Sequence, residues 1–184
     1  MNTGLIARRY AKALMAYATE RGQTELLYRQ MGSLAESFEA LPALRTTLVS
    51  PVVGREQKMS LVCAAVGAEP AESFRDFVRL VLDNRREAYL RTMALEYMSL
   101  YRKSNNISVV HLTSATELDK EVTDRIAASV VAKTQGAVEL DCRIDPSLGG
   151  GFIFRIDDKQ LDASVRGALE RIAKAFKQTS VSTL

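Results

Sequence analysis

The chain has 184 residues, of which 47% are hydrophobic and 7% aromatic, and it contains no Trp. This apolar share is large enough for a buried core, either in one large domain or in two small ones. A formal net charge of +3 is too small to indicate a dedicated nucleic-acid-binding protein, because such proteins carry a concentrated basic face.

The sequence shows no secretory signal and no segment that would span a membrane. The first residues, Met1 to Arg9, lack the long apolar core of a signal peptide, and no run of about 18 apolar residues occurs. Cys63 and Cys142 lie far apart in apolar patterns, so we expect both to be buried free thiols, as in a reducing compartment. A role at a membrane would therefore depend on another chain.

The first hundred residues predict an antiparallel bundle of six short helices. Apolar residues recur at helical period, most clearly at Leu27, Met31, Leu34 and Phe38. Pro and Gly separate the segments, because the residue before Pro resists helix and Gly favours a helix end. The predicted helices run from Leu5 to Glu20, after Gly22, from Pro42 to Ser50, from Arg55 to Val66, from Pro70 to Asp83 and from Arg86 to Lys103.

Ser104-Asn105-Asn106 ends the helical pattern, and the period changes to two. We therefore expect two domains, a helical bundle over 1–104 and a small mixed α/β domain over 105–184. Three strands are predicted, at 107–112, 138–144 and 152–156, the second being half exposed. A capping box at 116–119 starts a helix to about Lys133, and a last helix is predicted over 161–177, before a polar tail.

Three consecutive glycines, Gly149 to Gly151, are the feature closest to a catalytic motif. Phosphate-binding loops use such glycines, but they are followed by Gly-Lys-Ser/Thr and a helix. Here the strand at Phe152 follows directly, so a hairpin turn is the preferred interpretation.

No other group of residues predicts catalysis or a bound metal. His111 is the single histidine, and on an apolar strand we expect a core position for it. Asp157 and Asp158 fit a solvated turn, while Asp162 fits a helix start. We expect no catalytic residue, no cofactor and no metal. The pairs Arg8-Arg9 and Arg85-Arg86 lack interleaved aromatics, so solvated helix faces explain them better than nucleic-acid binding.

Two helices are more apolar than one-sided burial requires. At about 100° per residue, apolar side chains of the first helix cover roughly 200°, and those of the fifth helix cover a similar arc. A surface helix needs a stripe little wider than about 100°. Either both helices are central in the bundle, or their outer flanks form a groove for a partner helix. Arc edges are the better groove candidates: Ala13, Ala11 and Met15 on the first helix, Leu80 and Phe77 on the fifth.

The last helix differs, because its apolar stripe is narrow and its other side is basic. We expect a one-sided lid over the sheet. Its stripe comprises Leu161, Val165, Leu169, Ile172 and Phe176.

Two separated segments carry a resemblance to a known family. The run Ala7-Arg8-Arg9-Tyr10-Ala11-Lys12-Ala13 is similar to the Ala-x-x-Tyr-Ala-Lys-Ala start of ATP synthase delta subunits, the bacterial counterparts of the mitochondrial oligomycin sensitivity-conferring protein. The stretch from Asp145 to Phe152 and that from Asp162 to Leu169 resemble the family's Asp-x-Ser-Leu-Ile-Gly-Gly-Phe and Asp-Gly-Ser-Val-Arg-x-x-Leu motifs. Gly149 and Ala163 depart from these motifs, which puts local turn geometry in question more than function.

The resemblance implies a non-catalytic stator connector of the proton-translocating F-type ATP synthase. The helical bundle would bind an N-terminal helix of the alpha subunit on the α3β3 head, and the C-terminal domain would join the C-terminal end of the b-subunit stalk. The protein would then lie at the cytoplasmic face of the bacterial inner membrane, which it would reach only through the complex. The implied groove residues are Ile6, Tyr10, Ala13, Leu14, Phe77 and Leu80.

Two alternatives come from other functional classes. A small nucleotide-handling enzyme would use the triple-glycine turn and would lose nucleotide binding on Gly150→Val. A nucleic-acid adaptor would show binding that weakens steeply with salt.

Overall fold

Two compact units, Met1–Ser104 and Asn105–Leu184, make up the chain. The computed structural model describes residues 3–67, 69–117, 119, 121, 123–126, 128, 131, 136–156 and 159–171. The first unit is helical and the second combines helices with a sheet, which confirms the expected fold class at this level. None of the helices in these ranges is long and apolar enough to cross a bilayer.

Six α-helices and one 3-10 turn occupy the described part of the first unit. The helices are α1 (Thr3–Glu20), α2 (Thr24–Ala40), α3 (Pro42–Val49), α4 (Arg55–Ala65), α5 (Glu72–Asp83) and α6 (Leu90–Ser104). The 3-10 turn, Glu87–Tyr89, precedes α6.

The core of this unit is built from the stripes that the helical period predicts. On α2 all four stripe residues are buried, and Leu27, Met31 and Leu34 are 0% exposed. Tyr97 of α6 is also fully buried. Its hydroxyl donates to the Thr24 carbonyl oxygen over 3.1 Å, so the polar atom is satisfied inside the core. Burial raises the pKa of Tyr97.

Two predicted helix starts are wrong, that of α5 by two residues and that of α6 by four. Helix α5 begins at Glu72 and not at Pro70, because Ala71 still has extended backbone (φ −57°, ψ 152°). Helix α6 begins at Leu90 and not at Arg86, since a left-handed turn at Arg85 (φ 52°) and the 3-10 turn come first. Gly67, with φ 73°, follows α4, in agreement with its predicted helix-ending role.

The second unit contains a four-stranded mixed sheet. Its strands are β1 (Ile107–Ser114), β2 (Ala137–Ile144), β3 (Phe152–Ile156) and β4 (Lys159–Asp162). Their order is β2-β1-β3-β4, with β2 parallel to β1 and the other neighbours antiparallel. Residues 121, 123–126, 128 and 131, which lie between β1 and β2 in the chain, are helical. A parallel pair needs such a crossover connection.

The predicted hairpin at the glycines is wrong. Strands β2 and β3 flank β1 on opposite sides and do not pair with each other. The segment between them, which includes a 3-10 turn at Pro146–Leu148, passes the end of β1. Alternating apolar residues predict that strands exist, but they do not encode which strands are neighbours.

His111 and Cys142 are not buried as predicted. The His111 side chain is 39% exposed, and its Nδ1 lies 2.8 Å from Oδ2 of Asp141, its partner across β1 and β2. It lies on the face opposite to buried Val110 and Leu112. Cys142 is exposed because β2 is an edge strand of the sheet, and Cys63 is half buried.

The last predicted helix starts later than expected, and the described part of its apolar stripe is not covered. Leu161 belongs to β4, and the helical residues that the structure describes are 165–171. Leu161, Val165 and Leu169 are 59%, 48% and 61% exposed, so their apolar stripe is not covered as a lid would be. Some predictions concern residues that the structure does not describe. These are the end of this helix, the polar tail, the turn at Asp157-Asp158, the helix end near Lys133, and Leu118 of the capping box.

Candidate functional site

An apolar groove runs between α1 and α5. Its volume is about 530 Å³. The lining residues come from both helices: Arg9, Tyr10, Ala13, Leu14, Tyr17, Asp76, Phe77 and Leu80. Polar atoms contribute little of its surface, so the groove suits apolar side chains of a partner more than a small polar ligand.

Helix α1 uses the two flanks of its wide apolar arc differently. Ala7, Ala11 and Ala18 are fully buried, and Leu14 is 3% exposed, so the middle of the arc and one edge face the core. The other flank, with Tyr10, Ala13 and Tyr17, turns to the groove. The apolar arc of α1 is wide because one part of it packs in the core and another part lines the groove.

Most of the apolar arc of α5 belongs to the core. Phe74, Val78 and Val81 are fully buried, and Phe77 is 5% exposed. Leu80, at the edge of the arc, is 50% exposed. The interpretation of α5 as a central helix is therefore correct for most of its face, while Leu80 is a large apolar side chain at the groove that stays half exposed.

Neighbouring side chains contact both tyrosines of α1. The Tyr17 hydroxyl donates to Oδ2 of Asp76 over 3.1 Å, and the Arg21 guanidinium lies 4.5 Å from the Tyr17 ring centre. Partial burial and the bond to Asp76 raise the pKa of Tyr17. Tyr10 packs edge-on against Phe77, with ring centres 6.4 Å apart. The rings are thus fixed as walls of the groove.

Charges line the rim of the groove. Asp76, besides accepting from Tyr17, receives a bond from Arg79 over 2.9 Å. Arg21 and Glu72 form an ion pair of 3.2 Å beyond Tyr17. An apolar floor with a charged rim is the usual composition of a protein interaction site.

A second cleft, of about 660 Å³, lies beside the loop between α3 and α4. Two ion pairs form its wall, Arg55 with Asp83 and Lys58 with Glu87, each at 2.5 Å. Such charged walls make it less suited to an apolar partner than the α1–α5 groove.

The triple-glycine segment is a structural turn in this fold. All three glycines have positive φ, of 70°, 144° and 74°. The Gly150 carbonyl oxygen accepts from the Val165 amide over 3.0 Å, and that of Gly151 accepts from the Ala115 amide over 3.3 Å. These bonds join the turn to the last helix and to the segment after β1, which is a role in backbone geometry.

Sequence comparison with known families decides what kind of chain carries this groove. The family model described as "ATP synthase delta (OSCP) subunit" matches residues 6–176. The chain belongs to this family. A protein of Phocaeicola vulgatus named ATP synthase subunit delta is 47% identical over 177 residues, covering 96% of both chains. One of Bacteroides thetaiotaomicron with the same name is 44% identical, again with 96% of each chain covered.

The fold of the delta (OSCP) family also appears in a solved structure. A chain in the cryo-EM structure of the Toxoplasma gondii mitochondrial ATP synthase hexamer superposes with a TM-score of 0.71. The match covers 92% of this chain and 96% of the other, at 20% sequence identity. At that identity the match shows a shared fold.

Five of the six groove residues implied by the family resemblance lie together. Tyr10, Ala13, Leu14, Phe77 and Leu80 line the groove, whereas Ile6 is half buried and lies outside it. Of the predicted arc edges, Ala13 and Leu80 are exposed, while Ala11 and Phe77 are buried. Tyr17 also lines the groove, although it is not among the implied residues. Arg9 and Asp76 were missed because an apolar arc contains no signal for the polar rim.

Arg85 and Arg86 are not the solvated helix face that was predicted. Arg85 follows the end of α5 in a left-handed turn, and Arg86 is half buried. Arg86 donates a hydrogen bond to the Tyr10 hydroxyl oxygen over 3.1 Å.

Proposed function

We propose that the protein is the delta subunit of a proton-translocating F-type ATP synthase and acts as its stator connector. In this role the helical unit binds the N-terminal helix of an alpha subunit on the α3β3 head. The α/β unit binds the C-terminal end of the b-subunit stalk. The connection keeps the head from turning with the rotor, and the nucleotide chemistry belongs to other subunits.

The half-exposed Leu80 over an apolar groove carries the proposal for the first unit. A large apolar side chain that is 50% exposed beside a groove of about 530 Å³ loses contact with water when an amphipathic helix docks. Docking of the apolar face of a helix in a hydrophobic groove is a recurrent mode of recognition. Membership of the delta (OSCP) family supports the alpha-subunit helix as the occupant.

A separate apolar surface supports stalk binding by the second unit. Leu161, Val165 and Leu169 are each about half exposed or more. Val165 and Leu169 are four residues apart in one helix and so share a face, and exposed apolar groups that lie together mark interaction sites more often than scattered ones do. We assign this surface to the end of the b subunit, which is anchored in the membrane. The protein is then peripheral, at the cytoplasmic face of a bacterial inner membrane.

Leu80→Asp tests the groove assignment. A synthetic peptide of the alpha subunit's N-terminal helix should bind the wild-type protein and fail to bind this variant, because the new carboxylate would be buried unpaired in the interface. The folded unit should change in stability by about 0.5 kcal/mol or less, as for a surface position. Calorimetric titration and thermal unfolding measure the two effects.

Leu95→Asp is the matched control. Leu95 is a leucine on α6 with 42% exposure and does not line the groove. It should tolerate the same substitution with peptide binding intact. If Leu80→Asp unfolds the protein, Leu80 belongs to the core. If it leaves both folding and binding unchanged, the groove is not the binding site.

A further inference from the structure

Helix α5 ends in an unusual cap. The Arg85 amide donates to the Leu82 carbonyl oxygen and the Arg86 amide donates to that of Val81, each over 3.0 Å. This is the Schellman pattern, in which the residue after the cap is left-handed and usually Gly. Here that residue is Arg85, with φ 52°. A left-handed arginine is strained, and such strain concentrates at functional positions.

The cap brings Arg86 back onto α1. In a Schellman motif the residue after the left-handed position commonly makes an apolar contact with its own helix. Arg86 instead donates from Nη1 to the Tyr10 hydroxyl oxygen over 3.1 Å. Its guanidinium carbon also lies 5.3 Å from the Tyr10 ring centre. The planar guanidinium thus restrains the ring by both a hydrogen bond and a cation–π contact.

Arg86 itself does not line the groove, whereas Tyr10 does. Tyr10 is in edge-on contact with Phe77 on one side and in contact with Arg86 at its hydroxyl. A ring that is held before the partner arrives loses less conformational freedom on binding than a mobile one. Arg86 can therefore affect affinity without touching the partner.

We propose that Arg86 is a positioning residue for partner docking, which acts by holding Tyr10 as a wall of the α1–α5 groove. This inference rests on the proposed function, since it concerns the same groove and the same amphipathic helix. The proposal also accounts for the strained turn at Arg85, because that turn places Arg86 against α1.

The adjacent arginines offer a matched pair of variants. Arg86→Gln and Arg85→Gln remove the same charge at neighbouring positions, so long-range electrostatics change equally. Arg86→Gln should weaken binding of the alpha-subunit peptide by about three- to tenfold, the cost of ordering one side chain on binding. Arg85→Gln should stay within about twofold of the wild type, because an exposed charge contributes little.

A double-mutant cycle with Tyr10→Phe tests the route of the effect. This variant keeps the ring and removes the hydroxyl that accepts from Arg86. Coupled positions give non-additive effects, so Arg86→Gln should weaken binding less in the Tyr10→Phe background than in the wild type. In the free protein, the NMR ring signals of Tyr10 should shift in Arg86→Gln and stay in place in Arg85→Gln.

The outcomes distinguish a failure of the proposed function from a failure of the proposed role of Arg86. If the wild-type protein does not bind the peptide, the proposed function fails. If the wild type binds and Arg86→Gln binds as tightly as Arg85→Gln, or loses affinity equally in both Tyr10 backgrounds, only the role of Arg86 is overturned. Should Arg86→Gln fail to fold, Tyr10→Phe decides, because unchanged peptide affinity in that folded variant would contradict the proposal.

Discussion

Ala11 and Ala13 lie at opposite edges of the apolar arc of α1, and only Ala13 is exposed. The period predicted that Ala13 and Leu80 lie at arc edges, and both are exposed. The helical period also predicts an arc-edge position for Ala11, yet Ala11 is 0% exposed. A helical wheel orders residues around one helix, but neighbouring helices decide which edge they cover. That information is in the packing and not in the period.

Gly151 provides a residue-scale prediction. A Cβ added there would collide with the Ala163 carbonyl oxygen, whereas one added at Gly149 would only meet Val165 Cβ at 3.9 Å. Both positions have positive φ, so alanine at either should cost roughly 1–2 kcal/mol. Gly151→Ala should cost clearly more, because the backbone after β4 must also move. Hydrogen exchange of the β1 and β3 amides measures the difference, and equal losses would contradict the close approach.

Gly149 differs from the motif that the sequence resembles, Asp-x-Ser-Leu-Ile-Gly-Gly-Phe, which has isoleucine at this position. In this chain Gly149 caps the 3-10 turn Pro146–Leu148 with φ 70°. A bulky side chain in this backbone would be strained. Gly149 is therefore suited to the local turn.

The sequence predicts most of the helices and strands, but it does not predict the order of the strands in the sheet. Strands β1, β2 and β3 and helices α1 to α6 all follow from period and from Gly and Pro punctuation. The sheet order β2-β1-β3-β4 did not follow, because the turn before β3 resembles a hairpin in sequence. Strand β4 was missed as well. It contains four residues, Lys159–Asp162, and the last two of them fall within the predicted last helix.

The start of the last helix gives a pH prediction at the element scale. Asp162 accepts from the Ser164 hydroxyl over 2.6 Å and from its amide over 2.9 Å. These bonds lower the pKa of Asp162 below its ordinary value of 3.8. A lowered folded-state pKa contributes stability that is present above 3.8 and is lost as pH falls through the folded value.

Asp162→Asn should therefore flatten the acid loss of stability in the second unit. Chemical denaturation at several pH values, followed by NMR signals of the sheet, measures it. Some acid dependence should remain, because hydrogen bonds from Ser147 also lower the pKa of Asp145. Glu170→Gln, at an exposed position of the same helix, is the control. Identical pH curves for the wild type and Asp162→Asn would refute a role for this cap.

At the scale of the whole molecule, the chain divides where its sequence period changes. Packing separates Met1–Ser104 from Asn105–Leu184, and each unit presents its own apolar surface. One is the α1–α5 groove, and the other includes the exposed side chains of Val165 and Leu169 on the last helix. A connector needs such separate surfaces, so that binding of one partner leaves the other surface available.

The fragment 1–104 should fold alone. The hydrophobic core cluster that contains Leu27, Phe74 and Tyr97 is built only from residues of this fragment. A compact unit with its own core is able to fold independently. Circular dichroism of the fragment should show one cooperative thermal transition. A gradual, non-cooperative loss of helix would mean that the first unit needs the second.

Site-specific crosslinking in the assembled enzyme tests the connector account most directly. A photoreactive amino acid is placed at Leu80 of the full chain, and at Leu95 as the control, in cells that assemble the native ATP synthase. The account predicts that the probe at Leu80 crosslinks to an alpha subunit within its N-terminal helix, and that the probe at Leu95 does not. Crosslinks from Leu80 to the b subunit alone, or to no other subunit of an intact complex, would contradict it.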